Sequence, residues 1–233
     1  MIEDKILAMI PAWNEEAFIG PVIEATLIQL PVLVVDDGSQ DRTPNIATSA
    51  GAEIVRHEEN MGKGQALVTG FEWTLTQGFD AVITLDADGQ HDPTEIPNFV
   101  SAYKDKAGDL IIGRRDFGQM PFPNRYANPI GSWLLSKALG QRIYDNQCGF
   151  RLHTRRLLES LDLKATGFEL EVEVVMQAVC LGMTIAWVPI RTIYGTGKVS
   201  YFHPLHDTIR FLKMVWSAYQ YRRRFPGRNQ ASS

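Results

Sequence analysis

Short apolar runs alternate with amphipathic stretches through the first half of the chain. The runs KILAMIPA, PVLVVDDG, AEIVRH, DAVITLDAD and DLIIGRR are apolar at their centres, as strands buried on both faces must be. Between them, apolar positions recur at helical spacing, and strands alternating with helices predict an α/β fold with a mainly parallel sheet flanked by helices. Helix starts are readable as well. Gly20-Pro21 and Thr43-Pro44 each offer a cap before a proline at the first helical position. Asp92-Pro93-Thr94-Glu95 adds an acid at the third position, a variant of the capping box, and Asp92 is read as that cap.

The second half is less regular. NRYANPIGSWLLSKALG predicts a helix broken near Pro129, and FELEVEVVMQAVCLG a helix ending at Gly182. MTIAWVPIRTIY predicts a strand that completes the sheet. Further on, Leu205, Ile209, Leu212, Val215, Trp216 and Tyr219 share one face at helical spacing, and Phe211, Met214 and Ala218 form a second apolar flank. Between these faces runs a polar, mostly basic stripe, His206, Arg210, Lys213, Ser217, Gln220 and Arg224. Such a helix must bury two sides, against its own domain, a second subunit or a bilayer surface. With YRRRF following, two outcomes are open: docking on anionic headgroups at the inner face of the membrane, or a packed terminal helix with a solvated basic end. The expected organisation is one catalytic domain over 1–202, this amphipathic helix over 203–225 and a disordered tail over 226–233.

Composition narrows the class. The 233 residues are 45% hydrophobic and 21% charged with a formal net charge of -4, which argues against a nucleic-acid binder relying on overall charge. Cys148 and Cys180 lie far apart, form no metal-binding spacing and suggest a reducing compartment. The opening MIEDKILAMIPAWNEE is too acidic and its apolar part too short for a signal peptide. No apolar window reaches the ~18 residues of a spanning helix. A cytoplasmic protein, at most peripheral on a membrane, is expected.

Acids gather where strands should end: Asn14-Glu15-Glu16, Asp36-Asp37, and Asp86 with Asp88. In an open parallel sheet these ends share the edge where ligands bind. Like charges held together raise each other's pKa unless something positive lies between them. Hard oxygen donors suit Mg²⁺ or Mn²⁺, which bind through one or two carboxylates plus substrate phosphates. NMGKGQAL sets glycines and Lys63 before a helix start, where free N–H groups favour an anion. It lacks the spacing of a Walker loop.

Taken in order, IPAWNEE, VVDDGSQDRT, NMGKGQAL, LDADGQHDPTEIP and DNQCGFRLH resemble the family 2 glycosyltransferases, with the closest similarity to the dolichyl- and polyprenyl-phosphate hexosyltransferases. The resemblance runs from about residue 5 to about residue 205. It implies a GT-A fold, a nucleotide-sugar donor, a divalent cation and an inverting transfer. By the same resemblance Pro11, Ala12, Asn14, Glu15, Asp36, Asp37, Lys63 and Ala87 would line the nucleotide pocket. Asp86 and Asp88 would hold the metal on the diphosphate, with Gln90 a further ligand. Cys148 stands where the family commonly has serine.

The acceptor is read from its charge. A sugar hydroxyl needs a general base. A phosphate monoester, with a second pKa near ~6, needs cations instead, and arginine can grip phosphate oxygens in pairs. Arg114, Arg115, Arg151 and Lys198 are the candidates, with Asp145 beside them in the DNQCGFR motif. Glu169 and Glu171 occupy the region where hydroxyl-directed relatives carry a base. A lipid-phosphate acceptor at a membrane surface is therefore expected, with a homodimer or a separate membrane partner as companion. A soluble hydroxyl or phosphorylated acceptor is the alternative, and a nucleotide-sugar-binding subunit without turnover the third reading.

Overall fold

A computed structural model describes residues 4–120, 124–165, 167, 169–193, 215–217 and 219–220. Seven strands form one sheet in the order β3-β2-β1-β4-β6-β5-β7. In chain order these are β1 (Ile6–Ala12), β2 (Val32–Asp36), β3 (Glu53–Arg56), β4 (Ala81–Thr84), β5 (Leu110–Arg114), β6 (Arg151–Thr154) and β7 (Ile185–Pro189). All pairings are parallel except those of β6, which runs antiparallel between β4 and β5. The helices are α1 (Ile19–Leu27), α2 (Thr43–Ser49), α3 (Lys63–Thr76), α4 (Ile96–Lys104), α5 (Asn124–Leu139), α6 (Arg155–Leu158) and α7 (Leu170–Cys180).

The apolar runs do what their composition requires. β2 and β4 are buried along their whole length, and β1 at every position but Pro11. They form one core with the inward faces of the helices, including Phe71, Phe99 and Val175. The C-terminal ends of β1, β2, β4 and β5 fall on one edge of the sheet. This is the GT-A, Rossmann-like arrangement expected from the alternating pattern.

Three local expectations are corrected. α5 runs unbroken from Asn124 to Leu139 with Pro129 inside it; burial of Leu135, Ala138 and Leu139 beyond the proline offsets the bond that proline removes. α1 begins at Ile19 and α2 at Thr43, so neither Gly20 nor Thr43 is a cap. β4 ends at Thr84, two residues before Asp86, so the paired acids stand on a turn above the strand. The cap at Asp92 is present, its carboxylate accepting from the Thr94 amide at 3.0 Å. β6 was not anticipated.

Of the amphipathic segment over 203–225, only 215–217 and 219–220 are described. They are helical, with Val215 packed on the core and Trp216 and Tyr219 exposed. The rest of that segment, the tail over 226–233 and Lys198 lie outside the described residues. Among the described residues, no helix is long and apolar enough to cross a membrane.

Candidate active site

The loops after β1 and β2 are latched to each other. Asn14, at φ 53, donates its amide to Ser39 Oγ at 2.9 Å and accepts from the Gln40 amide at 2.9 Å through Oδ1. The Glu15 amide donates to Thr43 Oγ1 at 2.7 Å. Below them Pro11 and Ala12 pair in register with Val35 and Asp36. Asp36 is fully buried, with Arg56 Nε 2.9 Å from its Oδ2.

Asp37 reaches the next loop. Its carboxylate accepts from the Met61 and Gly62 amides at 2.9 and 2.8 Å and lies 2.7 Å from His57 Nδ1. Two N–H groups of that loop, just ahead of the helix start, are thus taken by an internal anion. Gly62, at φ 95, takes a turn that L side chains disfavour and delivers Lys63 to the start of α3.

Lys63 is the hub. Its ammonium lies 2.6 Å from Asp86 Oδ1 and 3.0 Å from Glu171 Oε1. Burial pushes the Asp86 carboxyl up, but the charges of Lys63 and His91 more than offset that and hold it well below the usual carboxylate range. Burial likewise works against charge on Lys63, and Asp86 and Glu171 reverse it, leaving the ammonium above the ordinary lysine value. His91 is buried under the turn. Its Nδ1 accepts the Asp86 amide at 3.1 Å, and its ring lies 5.3 Å from that of Phe150. Gly149 makes room for the carboxylate: a Cβ there would fall 2.7 Å from Asp86 Oδ2. Ala87 is buried, and Asp88 accepts from the Gln90 amide at 3.0 Å and from Gln90 Nε2 at 2.9 Å.

The remaining sequence candidates separate. Arg115 and Asp145 form a bidentate pair, Nε to Oδ2 at 2.7 Å and Nη2 to Oδ1 at 2.9 Å, with Asp145 wholly buried. Asp145 is therefore the buried partner of Arg115. Arg151, expected to grip phosphate, is 1% exposed and donates to the carbonyls of Cys148, Glu171 and Asn146. It is a strut that ties the loop before β6 to the first turn of α7. Glu169 is the residue preceding α7, and Glu171, one turn-fraction further on, is the carboxylate that joins the cluster. Sequence reasoning gave His91 no role and met Gly149 only as one position of a motif. Their signal was slight: a histidine in a polar turn, and a glycine in a motif read for its arginine.

Residues 8–163 match the model of Glycosyl transferase family 2. The chain belongs to that family. It is an enzyme of the glycosyltransferase class. An uncharacterized protein of Methanocaldococcus jannaschii is 33% identical over 207 residues, covering 85% of each chain. The undecaprenyl-phosphate mannosyltransferase of Micrococcus luteus is 31% identical over 215 residues, covering 84% of this chain and 88% of that one. Among solved structures, the glucosyl-3-phosphoglycerate synthase of Mycobacterium tuberculosis with Mn²⁺, uridine diphosphate and phosphoglyceric acid is 25% identical, with a TM-score of 0.70, covering 94% of this chain and 78% of that one. The same synthase with phosphoglyceric acid alone reaches a TM-score of 0.73 at 23% identity.

These structures correct the sequence reading on kinship and acceptor. The nearest kin were expected among dolichyl- and polyprenyl-phosphate hexosyltransferases, with a lipid phosphate as acceptor and a membrane as partner. The solved structures that superpose over 93% to 94% of the chain belong instead to a synthase bound to a small phosphorylated acid. A lipid-phosphate enzyme does occur among the sequence relatives, so family membership alone does not fix the acceptor. The solved structures of similar fold hold a small phosphorylated acid in place of a lipid phosphate. Divalent cations accompany the uridine nucleotide in several of these structures, in keeping with a cation-using nucleotide-sugar transferase family.

Proposed function

We propose that this family 2 glycosyltransferase moves a hexose from a nucleoside diphosphate sugar to a small soluble phosphorylated acceptor. One observation carries the donor side. Asp86 and Asp88 sit together at the ligand edge, yet among the described residues no three His, Cys, Asp or Glu side chains group to hold a metal unaided. Mg²⁺ and Mn²⁺ sites shared with a substrate have that composition, one or two carboxylates with the remaining ligands from phosphate oxygens. The hard oxygens of Asp86, Asp88 and the Gln90 amide fit such an ion, which when bound would neutralise charge growing on the departing diphosphate.

The chain's own residues have separable tasks in this reading. Pro11, Asn14 and Glu15 line the nucleotide side, and the buried Ala12, Asp36, Asp37 and Ala87 support those loops from behind. Lys63, poised between two carboxylates, offers its ammonium to a donor phosphate. Arg114, at the end of β5, meets the acceptor's anionic group, with Arg115 held behind it by Asp145. If the nucleophile is a hydroxyl, Glu171 is the carboxylate placed to take its proton, while the bond between the sugar's anomeric carbon and the diphosphate breaks with the electron pair leaving on oxygen. Structural likeness to a synthase holding phosphoglyceric acid supports the acceptor class.

The test is an assay of nucleoside diphosphate release from UDP-glucose and GDP-mannose with Mg²⁺ or Mn²⁺, with and without 3-phosphoglycerate. Release that rises with the phosphorylated acid, and sugar recovered on it, is the expected result. Absence of binding by either nucleotide with metal would discard the donor assignment.

A further inference from the structure

Two arginines converge on one tyrosine beside the cluster. The guanidinium carbons of Arg114 and Arg142 each lie 4.6 Å from the centroid of the Tyr144 ring, so they cannot be further apart than twice that distance. Both arginines are exposed, and neither has an ion-pair partner among the described residues. The ring itself is braced edge-on by Trp187 at 5.3 Å. A tyrosine face attracts one cation modestly, but two guanidiniums drawn to one ring repel each other, and an anion bound beside both would relieve that repulsion.

Sheet register places this pair. Ile112 stands in register with Arg151 on one side and with Trp187 on the other, and residues in register share a face of the sheet. Arg114, two residues beyond Ile112, points the same way. Arg151 reaches the carbonyl of Glu171 on that face, and Glu171 shares Lys63 with Asp86. The arginine pair therefore opens on the face and edge that carry Asp86, displaced sideways by two strand spacings, about 10 Å.

We propose that Arg114, Arg142 and Tyr144 form an acceptor clamp for a phosphate monoester, with the Tyr144 ring holding both guanidiniums in place. This rests on the transferase reading above and extends it, since it assigns the acceptor's phosphate to residues outside every motif of the family resemblance and adds Arg142 and Tyr144 to Arg114. The clamp selects acceptors that carry their phosphate away from the reacting oxygen.

Binding of inorganic phosphate to the full chain is measured by equilibrium dialysis at low salt, with Mg²⁺ and a saturating nucleoside diphosphate, UDP or GDP, occupying the donor side. Arg142→Gln and Arg114→Gln are each expected to weaken phosphate at least about tenfold, and Tyr144→Leu to weaken it less, while nucleotide binding persists as the control for folding. Phosphate affinity unchanged in both arginine variants, with nucleotide still bound, would remove the clamp and leave the transferase reading standing. Failure of the wild-type chain to bind nucleotide with metal would remove that reading instead. In a competition arm, soluble 3-phosphoglycerate should displace phosphate. Displacement only by polyprenyl phosphate in neutral vesicles would overturn the soluble source of the anion.

Discussion

Lys63 Nζ lies 2.6 Å from Asp86 Oδ1, so the first of the paired aspartates is neutralised by the chain itself. With the second contact to Glu171, one ammonium serves two carboxylates. Removing it in Lys63→Met leaves both facing each other, and a loss of about 2 kcal/mol or more is expected, toward the lower end for buried pairs because the cluster is partly solvated. The double variant Lys63→Met/Glu171→Gln should recover part of that loss. The pH dependence has a definite sign. Asp86 is held below its unfolded value, so its contribution is present above about pH 4 and lost as pH falls beneath it. Lys63 is held above its unfolded value, so its contribution is present below about pH 10.4 and lost as pH rises past it. Urea denaturation of wild type and variant across that range checks both limbs; a constant difference at pH 3 and pH 7 would refute the pairing.

Asp88→Ala should abolish sugar transfer while sparing the fold. Its described hydrogen bonds are both with Gln90 two residues on, so stability should move by about 0.5 kcal/mol or less. Turnover should fall by roughly 1,000-fold if the carboxylate helps to hold charge at the diphosphate. Thermal melts and nucleotide release measured side by side decide it, and undiminished turnover would discard Asp88 as a participant.

Much of this architecture was legible, and the exceptions share a cause. Runs such as VLVVD announce a buried strand because their burial is hydrophobic. β6 went unread because RLHT buries an arginine and a histidine, and only tertiary partners make that tolerable: three carbonyls for Arg151 and the Phe71 ring for His153. Hydrophobic patterning has no means of seeing a guanidinium that is inside. At the site, the acidic strand ends were visible as a set, whereas the choice between Glu169 and Glu171 depended on helix phase. α7 starts at Leu170, and that start turns Glu171 toward Lys63.

Arg151→Met separates a strut from a phosphate ligand. The substitution keeps bulk but strands three buried carbonyls, and the expected cost is about 3 kcal/mol or more. Because one of those carbonyls belongs to Glu171, kcat should drop with stability. The acceptor KM at a temperature where the variant is folded should change little. An intact melting temperature with a raised acceptor KM would return Arg151 to the role its motif suggested.

Gly149→Ala aims a methyl group at Asp86. The new Cβ would stand 2.7 and 2.8 Å from the two carboxylate oxygens, and the far end of a side chain is what must yield. Overpacking of this kind costs about 1–3 kcal/mol, and shifting a reacting-site group by about 1 Å can cost roughly 100-fold in rate. Nucleotide release should therefore collapse in a chain that still folds cooperatively. Wild-type rates in this variant would mean that Asp86 has no fixed position to lose.

His153 should set part of the acid limb of stability. Burial, helped by the nearby Arg151 charge, pushes its imidazole down to about 3 against a single opposing backbone bond to Val82, and its Nδ1 is buried with no hydrogen-bond partner among the described residues. A group whose folded value is depressed contributes fully above its unfolded value, near ~6.5, and that contribution is lost as pH falls toward the folded one. His153→Leu removes the titration and leaves the other histidines unchanged, so they cancel in the comparison. At pH 7.5 the variant should be no more stable than wild type, having lost the Val82 bond. By pH 5 the difference should have moved in its favour by up to about 2 kcal/mol. Chemical denaturation at both pH values reads this directly, and parallel stability curves would show that His153 takes up its proton without leaving the fold.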